Sequence, residues 1–376
     1  MSGNSITWDG ILDVAMKTPG ITVNRTEFLS SVFKSFGDVS TIADERPIDL
    51  FDEKTIEKVA RDVINGQTLK VTTISTIAGI PGGWAMLGTI PADMMQYTFH
   101  VLVLAQKLGY IYGWPDLQDE DGSISEGARN VLTLFVGVMF GAQAANKALG
   151  EVAKRLAVEV AKRLPQKALT KTFLYPIVKQ VAKWLGVKLT KDTFGKTVSK
   201  IIPFVGGILS GGITIATFRP MANRLREELR KEMELFKTKD SHFYFDDYEE
   251  VQTSLSAEDF EELNIRVCIN IAKIDSEIND KEEEYLLDMI NSSELPIDKK
   301  NRLQTMMKEK TLEDINFSSY EINEIYATML IENLLQLINV DDAMNSSEEI
   351  YLKKIARDFG VSDDDLEEMI LSSRGV

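Results

Sequence analysis

The chain has 376 residues, 44% of them hydrophobic, and carries 42 Lys and Arg against 58 Asp and Glu, a net charge of -16. This length exceeds one ordinary core and predicts two domains. The acidic balance argues against a nucleic-acid partner, since counterion release needs a basic surface, and the lone Cys268 excludes a disulfide framework and fits a reducing compartment.

The opening MSGNSITWDG sets no positively charged leader before an apolar run, so secretion by a signal peptide is not expected. Further on, apolar residues recur every three or four positions over Glu53 to Ile64, Met94 to Leu108, Gly150 to Leu164, Phe173 to Leu185 and Pro220 to Phe236. Strand-like alternation is scarce, and the fold class is all-α.

The stretch Thr72 to Asp116 draws attention first. It is nearly uncharged in its first two-thirds and broken by Pro81, Gly82, Gly83, Gly88 and Pro91. On a helix from Ala92, residues Asp93, Tyr97 and His100 share one face. Ionisable groups in apolar surroundings are costly unless hydrogen-bonded or working, so Asp93 and His100 are candidate catalytic residues, the first orienting the imidazole and the second acting as a proton carrier or as a ligand. The structural alternative has Asp93 capping the helix and His100 making one buried hydrogen bond. Asp116, after Trp114 and Pro115, completes a candidate ligand-binding set with Asp93, Tyr97 and His100, and equally suits a turn.

Three runs before residue 237 are weakly charged: Val71 to Gln106, Asn130 to Asn146 and Ile201 to Phe218. The last is long enough to span a bilayer and has paired glycines for close helix approach; helices buried all round within a protein give the same pattern. Between the second and third runs, Asn146 to Lys200 holds 13 basic residues against 3 acids. EVAKRL occurs twice there, and Lys154, Arg155, Lys162, Arg163, Lys179 and Lys183 are candidate contacts to an anionic membrane surface, provided that the apolar faces of their helices are free.

The segment 238–255, with turn formers and acids but no sustained period, separates a helical part, 1–237, from a second, 256–376. From Ser241 onward, 12 basic residues face 33 acids, a charge split that also permits the acidic part to mask the basic one. The second part is duplicated: Ile274 to Ile290 aligns without gaps on Val340 to Ala356 at an offset of about 66 residues. Each copy reads as a helix end, a polar turn and an acidic helix start. Asp275, Glu283, Asp341 and Glu349 are candidate oxygen ligands for calcium, magnesium or manganese. The competing reading takes Asp280 and Ser346 as N-caps, with Glu283 and Glu349 closing capping boxes.

These turns resemble the TerB-like domain named for tellurite resistance, a compact helical bundle, over about Ser256 to Gly375; Glu277 and Ala343 stand where its glycine is usual. IPGGW, TIPADMMQYTFH, LGYIYGWPD and IIPFVGGILSGGI are similar to the EcsC family of bacteria over about Ile6 to Lys237. That resemblance implies a cytoplasmic protein, associated with membrane or export functions at the inner face of the plasma membrane, and no assigned reaction. No phosphate-cradling Gly-rich loop, Gly-x-Ser-x-Gly elbow or His-Glu-x-x-His pair occurs. The sequence therefore predicts an accessory or stress-response protein that binds an anionic membrane or a membrane-protein complex, alone or as a homo-oligomer, with an ion-sensing or partner-docking acidic module. The alternatives are an enzyme acting on a lipid or other hydrophobic substrate through Asp93 and His100, and a structural adaptor.

Overall fold

Regular apolar spacing, local caps and an absence of strand alternation produce a helical architecture in the computed structural model, which describes residues 7–73, 92–119, 123–158, 174–190, 211–237, 255–274, 278–340 and 344–373. Among these residues the only pairing of extended backbone is an isolated antiparallel bridge between Gln118 and Ile124. The chain divides into two compact units, 1–247 and 248–376.

In the N-terminal unit the helices are α1 (Trp8–Lys17), α2 (Arg25–Phe33), α3 (Pro47–Leu50), α4 (Glu53–Thr73), α5 (Ala92–Ile111), α6 (Glu126–Phe140), α7 (Gln143–Val158), α8 (Leu174–Thr190) and α9 (Gly211–Lys237). Their ends follow local chemistry. Thr7, Asn24 and Ser125 cap α1, α2 and α6 with side-chain oxygens, and Gly141, at φ 90°, ends α6 in the left-handed conformation that glycine reaches without strain.

Helix α6 lies at the centre, packed on α5, α7, α8 and α9. Apart from Glu126 and Arg129 it is buried throughout. This is the weakly charged run beginning at Asn130, and its apolar circumference is met by protein. Close approach depends on two missing side chains. A Cβ on Gly137 would stand 2.7 Å from the Ala145 Cβ and 2.8 Å from Val181 Cγ1, and one on Gly109 would stand 2.8 Å from the Phe135 ring. A buried hydroxyl–indole bond, Trp8 Nε1 donating to Thr133 Oγ1 at 2.9 Å, ties α1 to α6.

Helix α9 extends beyond the periodic stretch 220–236: it begins at Gly211, and Pro220 sits inside it at an exposed position. No described helix is long and apolar enough to cross a membrane; residues 201–210 of the candidate span lie outside the described set.

In the C-terminal unit the duplication covers three helices per copy. The first copy is α10 (Ala257–Ala272), α11 (Asp280–Ser292) and α12 (Ile297–Lys308); the second is α13 (Glu324–Ile338), α14 (Ser346–Asp358) and α15 (Asp363–Ser373). Helices α11 and α14 begin at 280 and 346 and end at 292 and 358, an offset of 66 residues at both ends. The N-cap register differs from expectation by one residue. Asn279 and Asn345 are the caps, and Glu282 and Glu348, both buried, return their carboxylates to the cap N–H. Asn, Asp and Ser cap about equally well, so propensity could not choose among neighbours. Within α11, Tyr285 and Leu286 are buried.

The copies are joined by two tyrosine–amide bonds at equivalent positions, the tyrosine donating in one and accepting in the other. Tyr285 Oη donates to Gln336 Oε1 at 3.0 Å, and Asn270 Nδ2 donates to Tyr351 Oη at 3.3 Å. Residues 270 and 336, and 285 and 351, are themselves 66 apart, so each copy offers a tyrosine to the other copy's amide. The connection between the copies is held on one side. Arg266 grips Glu313 through two bonds of 2.7 and 2.8 Å and donates to Tyr320 Oη at 3.0 Å, while Asn270 exchanges two bonds with the Glu313 backbone. Cys268 is buried, and burial pushes its thiol up to about 12, so it is a core residue and no nucleophile.

Packing and capping each lead to a stability outcome. Gly137→Ala should cost about 1–3 kcal/mol through overpacking, read as a lower thermal midpoint of the full chain with its helicity intact. Asn279→Ala and Asn345→Ala should each cost about 1 kcal/mol, in equal measure; a null effect at either site in urea unfolding would count against equivalent capping boxes.

Candidate functional site

His100 sits in the middle of α5, where helix packing sets its neighbours. The α4 helix runs beside α5 and brings Gln67, itself buried, to the ring: Gln67 Nε2 lies 2.9 Å from His100 Nδ1. An amide nitrogen can only donate, so Nδ1 accepts and the neutral ring carries its hydrogen on Nε2. That Nε2 is shielded from solvent and has no hydrogen-bond partner among the described residues. Burial is the first cause that lowers the imidazole's affinity for a proton, to a midpoint of about 4, and the Lys70 and Lys107 ammoniums add to it. His100 is thus a neutral donor at physiological pH, without a free lone pair to act as a general base.

The other expected members of the set go elsewhere. Tyr97 is buried and turns to α9, where its hydroxyl lies 3.1 Å from Met221 Sδ and its ring meets Phe218 edge-on at 5.8 Å. Asp93 contributes backbone to α5, and its side chain lies outside the described set. Seven residues of helix separate it from His100 by about 10 Å along the axis, and Gln67 holds the imidazole in the place expected of Asp93. Asp116 is a turn residue. Its Oδ1 accepts from Gln118 N at 3.0 Å and from Tyr110 Oη at 3.3 Å. Burial and the adjoining Asp116 charge push the Tyr110 hydroxyl well above the usual tyrosine range. Nearby Arg25, almost fully buried, spends its guanidinium on the carbonyls of Ile42, Ala43 and Glu45, which fixes the loop before α3.

The basic stretch is described in part. Lys154 is exposed on α7, 2.5 Å from Glu151. Lys179 and Lys183 are half-buried on α8, and the Lys179 ammonium lies 5.1 Å from the Tyr175 ring centroid. The Arg155 side chain, Lys162 and Arg163 lie outside the described residues. What the structure adds is the fate of the apolar faces. Val152, Ala153 and Leu156 of α7, and Ile177, Val181, Trp184 and Leu185 of α8, are buried in the unit's own core. The condition for lipid insertion, a free apolar face, is not met by these described helices.

At the duplicated turns, Glu283 is exposed, and Glu349 is exposed with Oε1 2.6 Å from Lys353 Nζ. Asp275 and Asp341 lie outside the described residues. No group of three or more His, Cys, Asp or Glu among the described residues is arranged to hold a metal ion.

Two further features had no sequence signal. Gln67 and Lys70 belong to a different helix from His100, and their meeting depends on the α4–α5 pairing. Glu232 of α9 is buried against Gly150, where a Cβ would stand 3.1 Å from its Oε1. Burial, then the Glu228 charge, raises its carboxyl to about 7. Compared with known proteins, the chain matches no family model, no curated protein and no solved structure.

The two perturbed groups act on stability in opposite senses. His100 titrates at about 4 when folded and near 6.5 when unfolded, so its contribution is complete above pH 6.5 and is lost as pH falls toward 4. Glu232, raised from 4.5 to about 7, contributes fully below pH 4.5 and loses that contribution as pH rises through 7. The difference in unfolding stability between the parent chain and His100→Gln should therefore shrink from pH 7 to pH 4, and a pH-independent difference would remove the assignment.

Proposed function

We propose that the protein is a binding and recruiting protein of the kind its EcsC-like and TerB-like motifs imply, with the basic stretch of its N-terminal unit docking by charge on an anionic membrane surface. The observation that carries this reading is that α7 and α8 bury their apolar faces at home, so that association through a stretch of 13 basic residues against 3 acids is electrostatic. The acidic C-terminal unit, repelled by the same surface, serves as the partner-docking module. Its repeated local architecture in two copies supports a binding platform rather than a reaction centre. A divalent cation would enter through the Asp275 and Asp341 turns.

The enzymatic reading receives less support. A ring whose Nδ1 is occupied by an amide donor binds or polarises through Nε2–H and does not abstract protons in that arrangement.

Flotation of the full chain with liposomes tests the docking. Anionic vesicles should carry the protein at low salt and release it as salt screens the charges, whereas neutral vesicles should not carry it. The triple change Lys154→Gln, Lys179→Gln and Lys183→Gln should weaken the association on the order of 100-fold, taking roughly 1 kcal/mol per basic residue near such a surface. Flotation that survives high salt, or that occurs equally with neutral lipid, would reject charge-driven docking.

A further inference from the structure

Where α9 packs on α7, a carboxyl group stands between the two helices. Glu232 of α9 is 8% exposed, and the α7 residue opposite it is Gly150, where an added Cβ would stand 3.1 Å from Glu232 Oε1. Room for the carboxyl therefore depends on a missing side chain. The charged groups around it are already engaged: Glu151 with Lys154 at 2.5 Å on α7, and Glu228 with Lys231 at 3.0 Å on α9. These four are the charges that bear on Glu232, and none comes from α3, α4, α5 or α6, the other helices packed on α9. Glu232 itself forms no ion pair or hydrogen bond among the described residues.

As a neutral acid, Glu232 sits within a balanced set of two ammoniums and two carboxylates. As an anion it is a third carboxylate, without a donor of its own, in a place from which water is largely excluded. Separation of α7 from α9 at Gly150 is the movement that would give that anion water or a share of Lys154.

We propose that Glu232 and Gly150 form a pH-sensitive latch between α9 and α7, seated while the carboxyl is protonated and opened by its ionisation. The carboxyl, raised from 4.5 to about 7 in the seated contact, returns to its ordinary range once α7 has moved away. Opening therefore releases a proton between pH 4.5 and 7, is favoured by rising pH across that window, and gains nothing further above 7. The movement is local, because α7 also packs on α6 and α8 and Arg46 Nη2 donates to the Leu156 carbonyl near its end at 3.3 Å. Helix α7 carries Lys154 and leads into the basic stretch, so pH sets how firmly that surface is held. The latch does not depend on what the surface docks on.

Amide hydrogen exchange of the full chain tests the latch, followed by mass spectrometry on peptides covering α7 and corrected for the intrinsic pH dependence of exchange. Protection of these amides should fall by up to about tenfold per pH unit as pH rises toward 7, and should level off above it. Glu232→Gln has no proton to lose, and in it the fall should disappear, whatever the absolute protection, with circular dichroism unchanged. Glu228→Gln removes a like charge and so favours the ionised form. It should keep the fall but move the levelling-off to lower pH, a shift that a loss of packing alone would not produce. Protection of α7 that stays flat in the parent chain, or a fall that survives in Glu232→Gln, would overturn the proposal.

Discussion

Helix α6 has almost no face toward water, and such a helix holds its place only when neighbours close around its whole circumference. This requirement sets much of the N-terminal unit. It draws α5, α7, α8 and α9 onto one axis, and it needs hydrogen at Gly109 and Gly137 where any side chain would hold the helices apart. The position of His100 follows from it. Once α5 is committed to α6 on one side, Gln67 of α4 becomes the ring's hydrogen-bonding neighbour on another. The local chemistry at the seam is thus an outcome of core packing as much as of any feature near residue 100.

The same closure decides what the basic helices have left to offer. Apolar area removed from water is worth roughly 25 cal/mol per Å², and α7 and α8 have already used theirs in folding. A surface of this kind interacts through long-range, salt-sensitive fields and makes no deep insertion. Within the core, burial moves proton affinities in the direction that disfavours charge. It lowers that of His100 and raises that of Glu232, so two residues with opposite charging behaviour are both driven toward neutrality.

Helical class was legible because the 3.6-residue spacing of apolar side chains is a local property: α4, α5 and α8 appear at positions where that spacing occurs. The offset of 66 residues was legible for the same reason, and the structure extends it from two helices to three per copy. Register at the caps was not, because Asn279 and Asp280 are equivalent candidates by capping propensity. The periodicity read from Pro220 onward marked only part of α9, which starts at Gly211 and carries Pro220 inside it; a proline there forgoes one backbone hydrogen bond of the helix, so local preference gave no reason to extend the helix upstream. The site was least legible. The shared face of Asp93, Tyr97 and His100 is a fact about one helix, whereas Tyr97 answers to Met221 and His100 to Gln67, partners 124 and 33 residues away in sequence.

The reciprocal tyrosine–amide bonds of the C-terminal unit have a further consequence. With Tyr285 reaching Gln336 and Asn270 meeting Tyr351, the two copies relate to each other as the subunits of a two-fold dimer do, yet they share one backbone. Tethering makes their association independent of protein concentration, and it frees equivalent positions from having to suit both partners at once. Arg266 and Glu332 occupy the same place in the two copies with opposite charge, and it is Arg266 that grips the connecting segment through Glu313. A symmetric pair of separate chains could not hold such a difference; a tandem pair can present two unlike faces built on one plan.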